Sequence, residues 1–357
     1  MMKSNALDPA TDRLPDPLDI EIVDIAEARI TLRKGKRRVR NNPAEPGQWG
    51  IEGARGYGWV GAVIETDGAS VTREYRAVEG SVLPGDFVRL DTFAYPHDPK
   101  VALGLDFEDV HFDSPLGEMP AWLTQPPPER RGATWAILTH GKGANRRESL
   151  RILPTLIECG MPCLSITYRN DEGCPADPQG TYSYGHREWE DLEGAVRYAI
   201  DHGAAGVVLV GYSMGGAITV SFMAHSPLAA HVRGLILDAP MLDLEETIGY
   251  GAERLHIPRQ ALLLSNRVVG RWYGLEWAEV SYLARASTLN RPVLLFHGDA
   301  DHTVPKQTSD ALAAALTGSA AGDVTYIEVP LAGHVRAWNV DQPRYEAAVR
   351  DFVRRLD

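Results

Sequence analysis

A buried-looking strand that runs directly into a helix through a serine turn constrains this chain most. Val207-Val208-Leu209-Val210 is an apolar, β-branched run, and Gly211-Tyr212-Ser213-Met214-Gly215-Gly216 comes directly after it without a break. Residues 217–224 are then small or apolar, as in a buried helix. Such a turn is sharp enough that the residues two before and two after its apex crowd each other. Both are therefore best as glycine, here Gly211 and Gly215. The arrangement presents the apex hydroxyl as a nucleophile and aims the helix N-terminus, with its free amides and positive dipole end, at the reacting group. The competing reading is a glycine-rich turn of an ordinary α/β protein, and the residues downstream of the turn decide between the two.

Two textures divide the sequence. Residues 1–19 are polar and rich in Pro and Asp, and read as a flexible tail. Residues 20–106 are rich in Gly and Pro, with strand-like runs at 58–64, 71–78 and 86–90 separated by Asp67-Gly68 and Pro84-Gly85. They read as a small β-rich module whose Trp49, Tyr57 and Trp59 form its core or line an entrance. From 107 to 357 the pattern alternates. A hairpin is expected around 109–112 and 121–123, then strands at 134–139, 162–168, 207–210, 234–238, 293–297 and 324–329. Amphipathic helices are expected over 186–202, with Gly203 just past the end, and near the C-terminus, where Tyr345, Val349, Phe352, Val353 and Leu356 share a face. Short apolar strands alternating with helices imply a mostly parallel central sheet covered on both sides.

A serine hydroxyl needs a histidine to take its proton and a carboxylate to orient that histidine. In open parallel sheets such groups gather after the carboxyl ends of strands. His297-Gly298-Asp299-Ala300-Asp301-His302-Thr303-Val304-Pro305 follows one late strand, and Leu331-Ala332-Gly333-His334 follows the next. Serine, acid and histidine thus occur in that order. Together these motifs resemble the α/β-hydrolase fold of serine hydrolases over 107–357, in its esterase and prolyl-oligopeptidase-like branch. The resemblance implies Ser213 as nucleophile, His334 as base and Asp301, three before Val304-Pro305, as the orienting acid. Asp299 and Asp238 are rival acids, and His297 and His302 rival bases. It also implies an oxyanion hole from the backbone N–H of Met214 and of Lys142, the residue after His140-Gly141; His140 itself reads as a loop-bonding residue.

Residues 241–290 are too long for a simple crossover and carry several aromatics, which reads as a short helical cap or as ordinary packing on the sheet. Trp272 and Trp277 there, with Tyr212 beside the serine, are the candidate substrate contacts. The loop after Tyr168 is charged, and its groups either touch substrate or fasten the loop. An apolar cap without a basic cluster fits an uncharged, partly hydrophobic small-molecule ester. The net charge of −12 argues against nucleic acid and anionic membrane as partners, and no apolar run is long enough to span a bilayer. With no secretory signal, a cytoplasmic location is expected. The cysteines at 159, 163 and 174 fit no common zinc spacing and read as reduced thiols, so neither metal nor other cofactor is expected. A homo-oligomer is left open. The expected activity is carboxylesterase; a prolyl-oligopeptidase-like peptidase, a thioesterase and a non-catalytic binding protein are the alternatives.

Overall fold

Alternating inward apolar residues close the N-terminal module on itself. The computed structural model describes residues 7–9, 16–34, 42–258, 261, 266, 268, 270–271, 276–317 and 323–356. Strands β1 (Ile20–Ala26), β2 (Arg29–Arg33), β3 (Trp49–Gly53), β4 (Gly56–Asp67), β5 (Ser70–Gly80) and β6 (Phe87–Asp91) form a closed antiparallel barrel in the order β1-β2-β5-β4-β3-β6. Ile20, Ile22, Ile30, Leu32, Trp49, Ile51, Val60 and Val88 fill its interior. Closure gives each of these six strands a partner on both sides. Trp49 and Tyr57 are therefore interior residues rather than the lining of an entrance, and the Tyr57 hydroxyl donates to Asp91 Oδ2 at 2.7 Å. The three expected strands correspond to β4, β5 and β6; β1 to β3 are short and surrounded by polar residues, and pairing around the barrel completes them.

The second unit is an eight-stranded sheet, ordered β14-β13-β12-β11-β9-β10-β8-β7. It comprises β7 (Phe107–Ser114), β8 (Gly117–Thr124), β9 (Thr134–Thr139), β10 (Cys163–Ile166), β11 (Gly206–Tyr212), β12 (Val232–Asp238), β13 (Val293–Gly298) and β14 (Val324–Val329). The hairpin β7–β8 pairs antiparallel with β10, and all remaining pairs are parallel. The central strands β10, β11 and β13 are buried along their whole length, which is why they read as unbroken apolar runs.

Helices α1 (Pro99–Leu103), α2 (Leu153–Glu158), α3 (Trp189–Asp201), α4 (Met214–His225), α5 (Leu244–Arg254), α6 (Lys306–Thr317), α7 (Ala337–Val340) and α8 (Gln342–Arg354) cover the sheet. Residues of α3, α4 and α6 build the core on one face, and those of α2 and α8 the core on the other. Helix α8 buries Tyr345, Val349, Phe352 and Val353, the face expected from their spacing. Between β12 and β13 the chain makes a helical excursion that begins with α5, whose N-cap Asp243 accepts from Glu246 N at 2.9 Å.

Barrel and sheet meet at the loop that follows β14. Buried Arg73 donates to the Pro43 and Glu45 carbonyls at 2.9 and 2.7 Å, fixing the chain just before β3. That stretch packs against α7. Gln48 N donates to Asn339 O and Asn339 Nδ2 to Gln48 O, both at 2.9 Å. A Cβ at Gly47, whose φ is +97°, would run into the Asn339 carbonyl, so only glycine allows this approach. Arg336 pairs with Glu45, and Arg147 with Asp91 of the barrel.

Candidate active site

The apex of the turn between β11 and α4 is strained. Ser213 has φ +49° and ψ −112°, a conformation that L residues rarely adopt. Its surroundings fix it there. Ser213 N donates to Asp238 O of β12 at 3.0 Å, and Ser213 O accepts from Met241 N at 3.0 Å and Gly216 N at 2.9 Å. A Cβ at Gly211 would sit 2.6 Å from the Gly215 carbonyl oxygen, and one at Gly215 would run into the Thr139 carbonyl, so both positions need glycine. Gly216 is equally confined, 2.5 Å from Pro240 Cβ by the same measure.

His334 reaches this serine from the loop after β14. Its Nε2 lies 2.8 Å from Ser213 Oγ and its Nδ1 lies 2.7 Å from Asp301 Oδ2. Asp301, on the loop after β13, is 3 % exposed, and its Oδ1 accepts from Thr303 N at 2.7 Å and Val304 N at 2.9 Å. Burial alone works to raise its pKa. The charges and hydrogen bonds of His334 and His297 outweigh that and hold the carboxyl well below the usual carboxylate range. An ionised, fixed carboxylate on one imidazole nitrogen and a hydroxyl on the other is an arrangement that can pull a proton from the serine.

The rival residues have other partners. Asp299 Oδ1 accepts from Leu331 N at 2.6 Å and so clasps the acid loop to the histidine loop. His297 is buried, with Nδ1 2.7 Å from Ser309 Oγ and Nε2 3.2 Å from Asp301 Oδ2, so it supports the acid from behind. His302 Nδ1 faces Arg254 Nη1 at 3.1 Å. Asp238 holds the nucleophile through its backbone, while its carboxyl is buried beside Arg151 and Tyr345; burial pushes that carboxyl up to about 6, with Arg151 opposing.

The loop after β9 lies against the nucleophile. A Cβ at Gly141 would be 3.1 Å from Ser213 Cβ, tighter than most such contacts, so the lack of a side chain eases this approach. His140 is anchored on both nitrogens, Nδ1 2.9 Å from Gly141 O and Nε2 2.8 Å from Asp171 Oδ2, and stacks on Tyr168. Lys142 follows this fixed pair and places its Nζ over the Tyr182 ring at 5.6 Å. Met214 opens α4, where backbone N–H groups lack intrahelical acceptors.

Tyr212 is enclosed in the core instead of facing an open pocket. It is 1 % exposed, on the opposite face of the strand from the serine, with Arg151 over its ring at 5.4 Å. Strand alternation places the residue before the apex in the core, which overturns the reading from adjacency in sequence. Trp277 is half-buried against the core and donates Nε1–H to Asn266 O at 3.0 Å, and Trp272 lies outside the described residues. The charged loop after Tyr168 is internally fastened. Arg169 pairs with Asp191 at 2.7 Å and Glu190 at 2.8 Å, and Glu188 accepts from Ser183 N and Gly185 N at 2.7 and 2.8 Å. No cluster of His, Cys, Asp and Glu among the described residues is arranged to hold a metal, and the three cysteines are free thiols.

Comparison with known proteins places the chain in a family. The model of the prolyl oligopeptidase family matches residues 177–356, a span that holds Ser213, Asp301 and His334. The chain belongs to the prolyl oligopeptidase family. Among solved structures, this family member is similar to an esterase of Pyrococcus furiosus, with a TM-score of 0.57 and 17 % identity over 73 % of this chain and 94 % of that one. It is also similar to DcsB, solved in complex with its substrate analogue, with a TM-score of 0.52 and 16 % identity over 71 % of this chain and all of the other. These likenesses show the α/β-hydrolase fold. No curated protein matches the sequence significantly.

Sequence reasoning missed Glu148 and Arg151, two buried charges in the turn after the His140 loop. Glu148 Oε2 accepts from Gly141 N at 2.7 Å, and Arg151 Nη1 donates to Val335 O at 2.7 Å. The only signal in the sequence is a Glu and an Arg three apart, which an exposed helical turn shows as readily.

Proposed function

We propose that this member of the prolyl oligopeptidase family hydrolyses an uncharged, partly hydrophobic carboxylic ester through an acyl-enzyme on Ser213. The observation that carries this reading is the continuous contact chain from Ser213 Oγ through His334 to Asp301, at 2.8 and 2.7 Å. Ser213 Oγ attacks the ester carbonyl carbon as its proton passes to His334 Nε2. The carbonyl π pair moves to the oxygen, and the resulting oxyanion is held by the N–H groups of Met214 and Lys142. Collapse expels the alkoxide, which takes the proton from His334 and leaves as the alcohol. A water molecule then gives a proton to His334 and its hydroxide to the acyl carbon, and the second tetrahedral species releases the acid and restores Ser213. Asp301 stays ionised and stabilises the imidazolium in both halves.

Peptide cleavage is the second reading, favoured by the family itself. The N-terminal module argues for the ester. Its described residues form a closed barrel filled by apolar side chains, and such an interior offers a peptide no channel to the serine. The test is burst kinetics on p-nitrophenyl esters of rising chain length beside aminoacyl-p-nitroanilides, with Ser213→Ala as control. Turnover confined to esters and lost in the variant supports the proposal. Turnover of the anilides transfers it to peptides.

A further inference from the structure

Two groups of the proposed mechanism, the oxyanion donor at Lys142 and the base His334, stand on separate loops, after β9 and after β14. Neither loop is regular, so something must hold them in register. The 3₁₀ turn Arg146–Arg151 lies between them. Its N-cap Asn145 accepts from Arg147 N at 3.0 Å, and Ser149 Oγ contacts Ser165 Oγ of β10 at 2.7 Å, so the turn is pinned at its start and to the sheet. Glu148 and Arg151 point inward from it and are 6 % and 2 % exposed.

Each charge grips one loop. Glu148 Oε2 accepts from Gly141 N, the amide just before Lys142, at 2.7 Å. Arg151 Nη1 donates to the carbonyl of Val335, the residue just after His334, at 2.7 Å, and to Asn339 Oδ1 at 3.1 Å. The two side chains meet each other at 3.3 Å between Arg151 Nη2 and Glu148 Oε1. Asn339 extends the chain into the barrel by donating to Gln48 O at 2.9 Å and Thr92 O at 3.1 Å. Val335 has φ +54°, an unfavourable conformation for a β-branched residue, so the histidine loop needs an external hold. A buried ion pair contributes little to stability compared with apolar residues of the same volume, because both ions lose their water. Its specific value lies in fixing geometry.

We propose that Glu148 and Arg151 form a positioning pair that sets the oxyanion loop and the histidine loop in register, with the barrel as its outer abutment through Asn339. The proposal rests on the reading of Ser213 as nucleophile. Neither residue touches substrate; both act through the backbone on either side of the reacting groups.

The test is the full chain with Glu148→Gln, Arg151→Lys and both together. Glutamine keeps the volume, but one of its two ends is a donor, so it faces either Gly141 N–H or the Arg151 guanidinium with donor against donor. Lysine keeps the charge but gathers it on one ammonium in place of the planar fork whose Nη1 and Nη2 serve the Val335 and Glu148 sides separately. Two quantities are read: kcat and KM on a p-nitrophenyl ester, and the rate and final stoichiometry of Ser213 labelling by a fluorophosphonate. Loss of a whole oxyanion donor costs about 100- to 1000-fold in kcat, so a displaced one is expected to cost about 10- to 100-fold. KM should stay within about twofold, and labelling should be slower but complete. The double variant should fall no further than the worse single one, because the linkage is already broken once. Complete labelling at the native rate in Glu148→Gln would overturn the proposal. So would losses that multiply in the double variant, or losses that only follow a smaller labelled fraction. If Arg151→Lys does not fold, Glu148→Gln decides alone. If the native chain is not labelled, the nucleophile reading falls and the positioning proposal with it; native labelling with unchanged variants overturns the positioning proposal only.

Discussion

Asp238 is buried under the nucleophile, and its ionisation should make the protein less stable as pH rises. Burial pushes its carboxyl from 3.8 up to about 6, with Arg151 opposing and Glu148 adding to the rise. In the folded state the group keeps its proton up to about pH 6, whereas in the unfolded chain it loses the proton near 3.8. Its contribution to stability is therefore fully present below 3.8 and is lost as pH rises through about 6. At about 1.4 kcal/mol per pH unit, the loss amounts to ~3 kcal/mol by pH 7. Asp238→Asn replaces the carboxyl with a neutral group of the same shape and leaves the backbone carbonyl that accepts from Ser213 N. The variant should match or exceed the native protein in stability at pH 7, by up to ~3 kcal/mol, and should lose the native decline between about pH 4 and about pH 6. Urea unfolding of both proteins across this range reads the difference. Asp301 does not confuse the result. Its pKa is lowered, so its contribution is present above the ordinary carboxylate value and is lost only as pH falls below it. Parallel pH dependence in the two proteins would overturn the raised pKa of Asp238, because the other carboxyls act alike in both. Esterase activity of Asp238→Asn should stay within a few-fold of native, as expected of a group outside the Ser213–His334–Asp301 contact chain.

Ser213→Ala should abolish ester turnover and fluorophosphonate labelling, a loss of about 10⁶-fold, with little change in melting temperature; near-native activity would sink the nucleophile assignment. Asp301→Asn should lower kcat by about 10⁴-fold, whereas Asp299→Asn, which still offers an acceptor to Leu331 N, should cost less than about tenfold; steady-state kinetics showing the reverse ranking would transfer the role of acid to Asp299. Gly215→Ala sets a Cβ against the Thr139 carbonyl oxygen and should destabilise the protein by about 3 kcal/mol or more, read by denaturant unfolding. Asn339→Ala removes the donors to Gln48 O and Thr92 O as well as the acceptor for Arg151, and should lower kcat more than it raises KM; a pure rise in KM would contradict a role through the histidine loop.

The residues of the candidate site are legible because each sits at the end of an apolar run. Val207 to Val210 and Val293 to Phe296 are buried, Val324 to Ile327 on the edge strand are half-buried, and a parallel sheet carries the ends of its strands to one edge. Chain order and strand ends alone therefore bring Ser213, Asp301 and His334 together. The crowding at the serine turn is legible too, because a Cβ at Gly211 or Gly215 meets backbone from the adjacent turn or strand. Tyr212 is misplaced by the sequence because its neighbour in a strand points to the opposite face. The barrel is only partly legible. β4 and β5 run for 12 and 11 residues, long enough to read as strands, but β1, β2 and β3 are shorter and closure of the sheet completes them.

What the sequence determined by itself was local: periodicity, turn chemistry and the order of the motif residues. Only the tertiary structure decided which charges are buried and whom they face. Asp299 and Asp301 are two residues apart on one loop, yet one clasps Leu331 and the other receives His334. Glu148 and Arg151 look like any charged turn until β9, β10 and the loop after β14 close around them. Burial removes water as a partner, so a charge must find its partner in the protein, and that partner comes from a distant part of the chain.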